Sequence, residues 1–366
     1  MEGPSQCYVG PGSGALRDQL HRFCFQHIPS EMGEAMDSEE GTTPEEAPPE
    51  DTLRYGYISG WLEFIPYQES FRKVLNPELE PLAQAFTDNV MRVRDLGALM
   101  PELAFWTRVV QRVQQVAVAR LGLPIRLPGR VRGAPEPSPD LLREFRAAYS
   151  EYLINAPSPS EAWQDGCDLM LSLISTGAPG FRSGVEILFS SMLTETWAAV
   201  EALLTDLLVA AVNLVPDPLA RNYLGTEKSI PVDVLSRYKF DLSQNMGSAL
   251  QVANRFEFSS LSGIEKSYGR AFADQDTTEI FDAFKPEVGH LEAIRNLYAH
   301  RSGKVDETFR RRVAKSTILP ELAIGEQLRL NGSMVSHYTG VSVELCMEVF
   351  AFVDRAIFVY RNPQKG

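Results

Sequence analysis

The chain is predicted to be all-α, and three observations predict it. Apolar residues in its second half recur at helical spacing rather than in alternation. Helix punctuation recurs too, with Ser, Asp or Pro at openings and Gly at closings. Strand-like alternation is scarce, residues 326–336 ("EQLRLNGSMVS") being the best candidate for a small hairpin.

The elements follow in order. Residues 1–52 are rich in Gly, Ser, Pro and Glu, and "MDSEEGTTPEEAPPED" has too little apolar surface to offset its ordering entropy. This arm is predicted to be disordered, apart from a short helix over residues 16–28. Residues 53–122 form a helical N-terminal region in which "NPELEPLAQAFTDNVMRVRDLGALMPELAFWTRVVQRVQQVAVARLGL" reads as two or three helices. Val109, Val113, Val116 and Leu121 keep near-helical spacing there. Five prolines mark residues 123–139 as a linker: Pro124, Pro128, Pro135, Pro137 and Pro139. The main helical domain is then placed at residues 140–366.

That domain opens on "SPDLLREFRAAYSEYLINA", with a Ser-Pro-Asp start and apolar positions at Leu141, Leu142, Phe145, Tyr149 and Leu153. "GVEILFSSMLTETWAAVEALLTDLLVAAVNLV" is long enough to cross a whole domain as one helix. Three short amphipathic pieces follow. "FKPEVGHLEAIRNLYAHRSG" is a helix with Pro near its first turn and Gly303 at its end. Asp306 is the expected N-cap of "VDETFRRRV", and "SVELCMEVFAFVDRAIFVYRN" closes the chain.

Composition narrows the function. The 366 residues are 44% hydrophobic and carry a net charge of −13, which argues against indiscriminate coating of nucleic acid. The charge is uneven. Nine acidic and no basic residues lie between Glu31 and Leu53, while Arg108, Arg112, Arg120, Arg126, Arg130 and Arg132 fall in an acid-free run. That run reads as a solvated helix face plus linker, or as a patch for phosphate or the acidic arm. The four cysteines form no zinc-type spacing and suit a reducing, cytoplasmic setting. No signal-type segment opens the chain. No run reaches the ~18 apolar residues of a membrane span, since Glu201, Asp206 and Asn213 interrupt the richest one.

The candidate site is "RNLYAH". Leu291, Ile294, Leu297 and Tyr298 make the buried stripe of its helix. Arg295 and His300 are five residues apart, about 7.5 Å of rise and about 140° of rotation. Both are long enough to converge on one ligand near the helix end. A forked guanidinium suits phosphate oxygens, and an imidazole moves protons near neutral pH. Asn296 either donates to the ligand or holds Arg295. Arg301 and Lys304 either neutralise phosphates or form a plain exposed helix end, Tyr298 is either core or substrate-binding, and Arg310, Arg311 and Arg312 form either a solvated face or a basic ridge. His290 and His337 read as surface or capping histidines, though His337 also has a route to the site from the loop before the last helix.

"RNLYAHRSGKVDETF" resembles the Arg-Asn-x-x-x-His motif, with its downstream Gly-x-Val-Asp, of HEPN domains (the higher eukaryotes and prokaryotes nucleotide-binding superfamily). "SSMLTETWAAVEALLTDLL" resembles the first core helix of that family, with Glu195 and Glu201 as its acidic positions. The segment "IPVDVLSRYKFDLSQNMGSALQVANRFEF" resembles the stretch between the motif helices of one branch. The likeness covers about residues 140–361. It implies a HEPN-like helical bundle and a metal-independent endoribonuclease that acts on single-stranded RNA without a cofactor. In that mechanism His300 serves as base on the ribose 2′-OH or as acid on the 5′-oxygen, Arg295 stabilises transition-state charge, and Asn296 orients substrate or Arg295. Glu195 and Glu201 either form a polar contact under Arg295 or simply face solvent. One histidine per motif helix implies a homodimer that pairs two of them in one cleft. A toxin or antiviral effector governed by a regulatory protein or antitoxin is the expected setting. The alternative is a catalytically inactive nucleotide-binding or protein-interaction module on the same fold.

Overall fold

A 3-10 turn at Pro77–Leu79 leads into α1 (Glu80–Arg120), a single helix of 41 residues. Here the computed structural model departs from the expected two or three helices, because Pro101 lies inside α1 without ending it. An interior proline costs about 3 kcal/mol. Apolar packing on both flanks outweighs this: Leu79, Ala83, Phe86, Val90 and Val93 are buried before it, and Val109, Val113 and Ala117 after it. Val116 stays exposed and Ala117 takes the core position. The structure describes residues 74–123, 138–175, 179–225, 229–253 and 255–362. The arm 1–52, the short helix expected within it, the first part of the expected helical region (residues 53–73) and most of the linker 123–139 lie outside them.

The remaining helices are α2 (Pro139–Ile154), α3 (Pro159–Ser175), α4 (Pro179–Leu214), α5 (Pro216–Leu224), α6 (Val232–Arg237), α7 (Met246–Val252), α8 (Leu261–Ala271), α9 (Thr278–Arg301), α10 (Glu307–Val313) and α11 (Gly332–Arg361). No strand forms among the described residues, so the protein is all-α there. The expected hairpin at residues 326–336 is absent. Gln327 makes one isolated antiparallel bridge with Lys304, and Asn331 then caps α11 through a bond from the Met334 N–H. That cap starts the last helix well before the apolar run alone suggested.

The described residues divide into two compact units. The first takes in Leu99–Leu173. Its core joins Val109 and Val113 of α1 to Ala148 of α2, with Phe105, Trp106, Phe145, Tyr149 and Tyr152 packed around them. Ser138 caps α2 as expected, while Leu142 and Leu153 stay exposed. The sequence did not flag α3. It buries Cys167 and Met170, and its Gly166 lies so close to α1 that a Cβ there would stand 2.3 Å from the Pro101 carbonyl oxygen. Two arginines of the basic run are paired inside this unit, Arg120 with Glu151 and Arg112 with Asp165.

The second unit holds the residues up to Ala98 and those from Ile174 on. Its centre is α4, apolar nearly all round, which buries Phe189, Met192, Trp197, Leu204 and Leu208 among others. Each such side chain contributes roughly 1.5–3 kcal/mol. By length and hydropathy α4 also meets the requirement for a membrane span, more than its interrupting polar residues suggested, and 56% of its most apolar window is buried in the protein. α9 and α11 pack on it and on each other. The Tyr268 hydroxyl of α8 donates to the Leu204 carbonyl of α4 at 2.7 Å.

A buried carboxylate anchors the start of α1. Asp354 of α11 accepts from the Leu75 N–H (2.7 Å), the Asn76 N–H (2.9 Å) and the Asn76 side-chain amide (2.7 Å). The same amide also donates to the Asp354 carbonyl. Asn76 is 3% exposed and Asp354 is 5% exposed, so water does not compete for these bonds.

Candidate functional site

The motif sits at the C-terminal end of α9. This helix begins at Thr278, so Pro286 lies inside it rather than in its first turn. Pro286 has no N–H to offer the Asp282 carbonyl, and both residues are exposed, so water can serve that carbonyl instead. Leu291, Ile294 and Leu297 form the buried stripe as expected.

Arg295 and Asn296 are half-buried, and Arg295 Nη1 donates to Asn296 Oδ1 at 2.9 Å. Asn296 therefore holds the guanidinium and leaves its other donors free among the described residues. His300 is exposed in the last turn and hydrogen-bonds nothing among the described residues. A cation here would also meet the negative end of the helix dipole.

The helix end is built like a latch. Ser302 turns left-handed (φ 52°), and its N–H reaches back to the Leu297 and Tyr298 carbonyls. Gly303 follows at φ 84°, as its place after the helix predicts. A Cβ on Gly303 would lie 2.3 Å from Gln327 Nε2 and 3.0 Å from the Tyr298 ring. Gln327 donates to the Ser302 carbonyl at 2.9 Å, and the Tyr298 hydroxyl donates to the Leu328 carbonyl at 2.7 Å. Burial, with Glu186 adding to it, raises the Tyr298 phenol well above its ordinary range. Its hydroxyl is thus a structural tie. An open hollow of about 410 Å³, lined by Pro320, Leu322, Glu326, Gln327 and Arg329, borders this latch.

The neighbouring charges sort themselves. Arg301 lies 3.7 Å from Asp306, which caps α10 by accepting the Phe309 N–H at 2.8 Å, as expected. Lys304 is exposed. The three arginines of α10 are not equivalent. Arg310 pairs with Glu307, and Arg312 turns inward to Glu292, 2.9 Å away, while Arg311 makes no ion pair among the described residues. Glu292 is 5% exposed and also accepts the Leu261 N–H, which ties α9, α10 and α8 together.

Glu195 and Glu201 do not meet Arg295. Glu195 faces solvent on α4, and Glu201 accepts from the Trp197 indole one turn away at 3.1 Å. Since α4 buries nearly every side, these two acids take outer positions on it. His290 and His337 also depart from expectation. His290 is 7% exposed, His337 is half-buried, and both rings meet Tyr338 edge-on. His337 therefore belongs to the seam between α9 and α11. Among the described residues no three metal-ligating side chains gather for an ion.

No protein-family model, curated protein or solved structure matches the chain.

Proposed function

We propose that the protein is a metal-independent endoribonuclease of the HEPN type, cutting single-stranded RNA by 2′-OH attack to leave a 2′,3′-cyclic phosphate. The observation that carries the reading is the Arg295–Asn296 bond beside an exposed His300 on one helix end. It keeps a forked donor oriented before any ligand arrives, and such preorganisation is what stabilises developing charge. Arg301 and Lys304 add positive charge within a chain of net charge −13, consistent with a local phosphate site. His300 transfers the proton, Arg295 binds the phosphorane-like oxygens and Asn296 orients Arg295. The reaction needs one base and one acid, so two chains pair their motif helices about a two-fold axis and share one cleft. The cellular role proposed for this activity is that of a toxin or antiviral effector under a regulatory partner.

Incubation with single-stranded RNA in EDTA tests this. Cutting with cyclic-phosphate ends is expected, and His300→Ala or Arg295→Ala should abolish it without changing the thermal melt. Normal cutting by both variants would sink the reading. Retained RNA or nucleotide binding with no cutting by the parent protein would favour the non-catalytic module instead.

A further inference from the structure

Two of the five histidines in the chain, His290 and His337, are packed into one seam that the motif does not use. The Tyr338 ring receives both imidazoles, at centroid distances of 6.4 Å from His290 and 5.2 Å from His337. Tyr338 is 1% exposed, and its hydroxyl and His337 Nε2 are buried without hydrogen-bond partners among the described residues. Ser316 approaches the Tyr338 hydroxyl without closing a bond of proper geometry. Burial raises that phenol to about 12, so Tyr338 supplies no charge to the seam at neutral pH.

The charges around the pair are few. Glu287 of α9 favours protonation of both imidazoles, Glu344 of α11 favours it at His337, and Arg312 of α10 opposes it at His290. Glu292 accepts Arg312 in its ion pair, and α4 brings no charge to either ring. A proton on His337 also opposes one on His290 across the seam. One added proton has Glu287 to answer it. A second has only Glu344, which acts on His337 and not on His290.

We propose that this α9–α11 seam is a pH-sensitive latch, closed while His290 and His337 are neutral and loosened when both become protonated. The helix it releases is the one that carries Arg295 and His300. The inference does not depend on the ribonuclease reading.

Burial is the leading cause in both imidazoles and lowers their proton affinity in the folded state. The unfolded chain then binds more protons, so stability is full above the unfolded histidine value of about 6.5 and falls as pH drops below it. Two protons steepen the unfolding constant by up to about 100-fold per pH unit.

Urea unfolding of the full chain at steps from pH 8 to pH 5 tests this. The wild type should lose stability steeply below about pH 6.5. Glu287→Gln should lower both folded-state proton affinities further, so the loss below about pH 6.5 should grow and extend to lower pH, and His290→Phe with His337→Phe should flatten it. Parallel curves for all three proteins would overturn the proposal. Where the double variant does not fold, imidazole proton NMR of the wild type decides. Two imidazoles that stay neutral well below pH 6.5 support the latch, and two that titrate like exposed histidine overturn it.

Discussion

Replacing Asp354 with alanine should be among the most damaging single changes outside the hydrophobic core. The carboxylate serves three N–H donors at 2.7–2.9 Å, two of them on Asn76, which is 3% exposed. A hydrogen bond to a charged group is worth about 1.5–3 kcal/mol, and an abandoned buried donor costs about 1–3 kcal/mol. The Leu75 N–H can turn to water, since Leu75 is 49% exposed, but the Asn76 donors cannot. The expected loss is therefore about 3–5 kcal/mol. The Asp354→Asn variant keeps one carbonyl acceptor and should lose about half as much. Urea unfolding followed by circular dichroism measures it. With a slope of about 2 kcal/mol per molar, the midpoint should fall by about 2 M for alanine. A shift below about 0.5 M would refute the reasoning, because it would mean that the start of α1 is held by its apolar face alone. The nearby Arg361–Glu78 pair is exposed, and removing it should change little.

Two further outcomes follow from the same geometry. Gly303→Ala must place a Cβ 2.3 Å from Gln327 Nε2 at φ 84°, so it should cost about 1–3 kcal/mol and raise amide exchange through residues 297–304. An unchanged melt would show that the latch at the helix end yields freely. Ser342→Ala removes a fully buried hydroxyl without a partner among the described residues, at a small cavity lined by Phe86, Val90, Val93 and Val343, and should leave stability equal or about 1 kcal/mol higher. A loss larger than about 1 kcal/mol in thermal melts would show that the hydroxyl is satisfied after all.

The sequence by itself determined what is local. Ser138 capping α2, Asp306 capping α10 and Gly303 closing α9 each act over three or four residues, so residue type and spacing suffice to place them. The Arg295–Asn296 bond joins adjacent residues and was legible for the same reason. The all-α character follows from periodicity and the central α4 from its long apolar run, and both average over many positions. Tertiary structure alone decided the rest. Asn76 and Asp354 are 278 residues apart, and nothing near either announces the other. Whether Pro101 breaks a helix depends on what its flanks bury, and whether Glu201 turns to Arg295 or to Trp197 depends on which side of α4 stays outside. His290 and His337 look like surface histidines until α9 and α11 are packed and Tyr338 comes between their rings. Helix faces are visible in a sequence, but their partners are set by the packing of elements distant along the chain. That packing turned two histidines read as surface groups into a seam and left Arg295 and His300 at an open helix end.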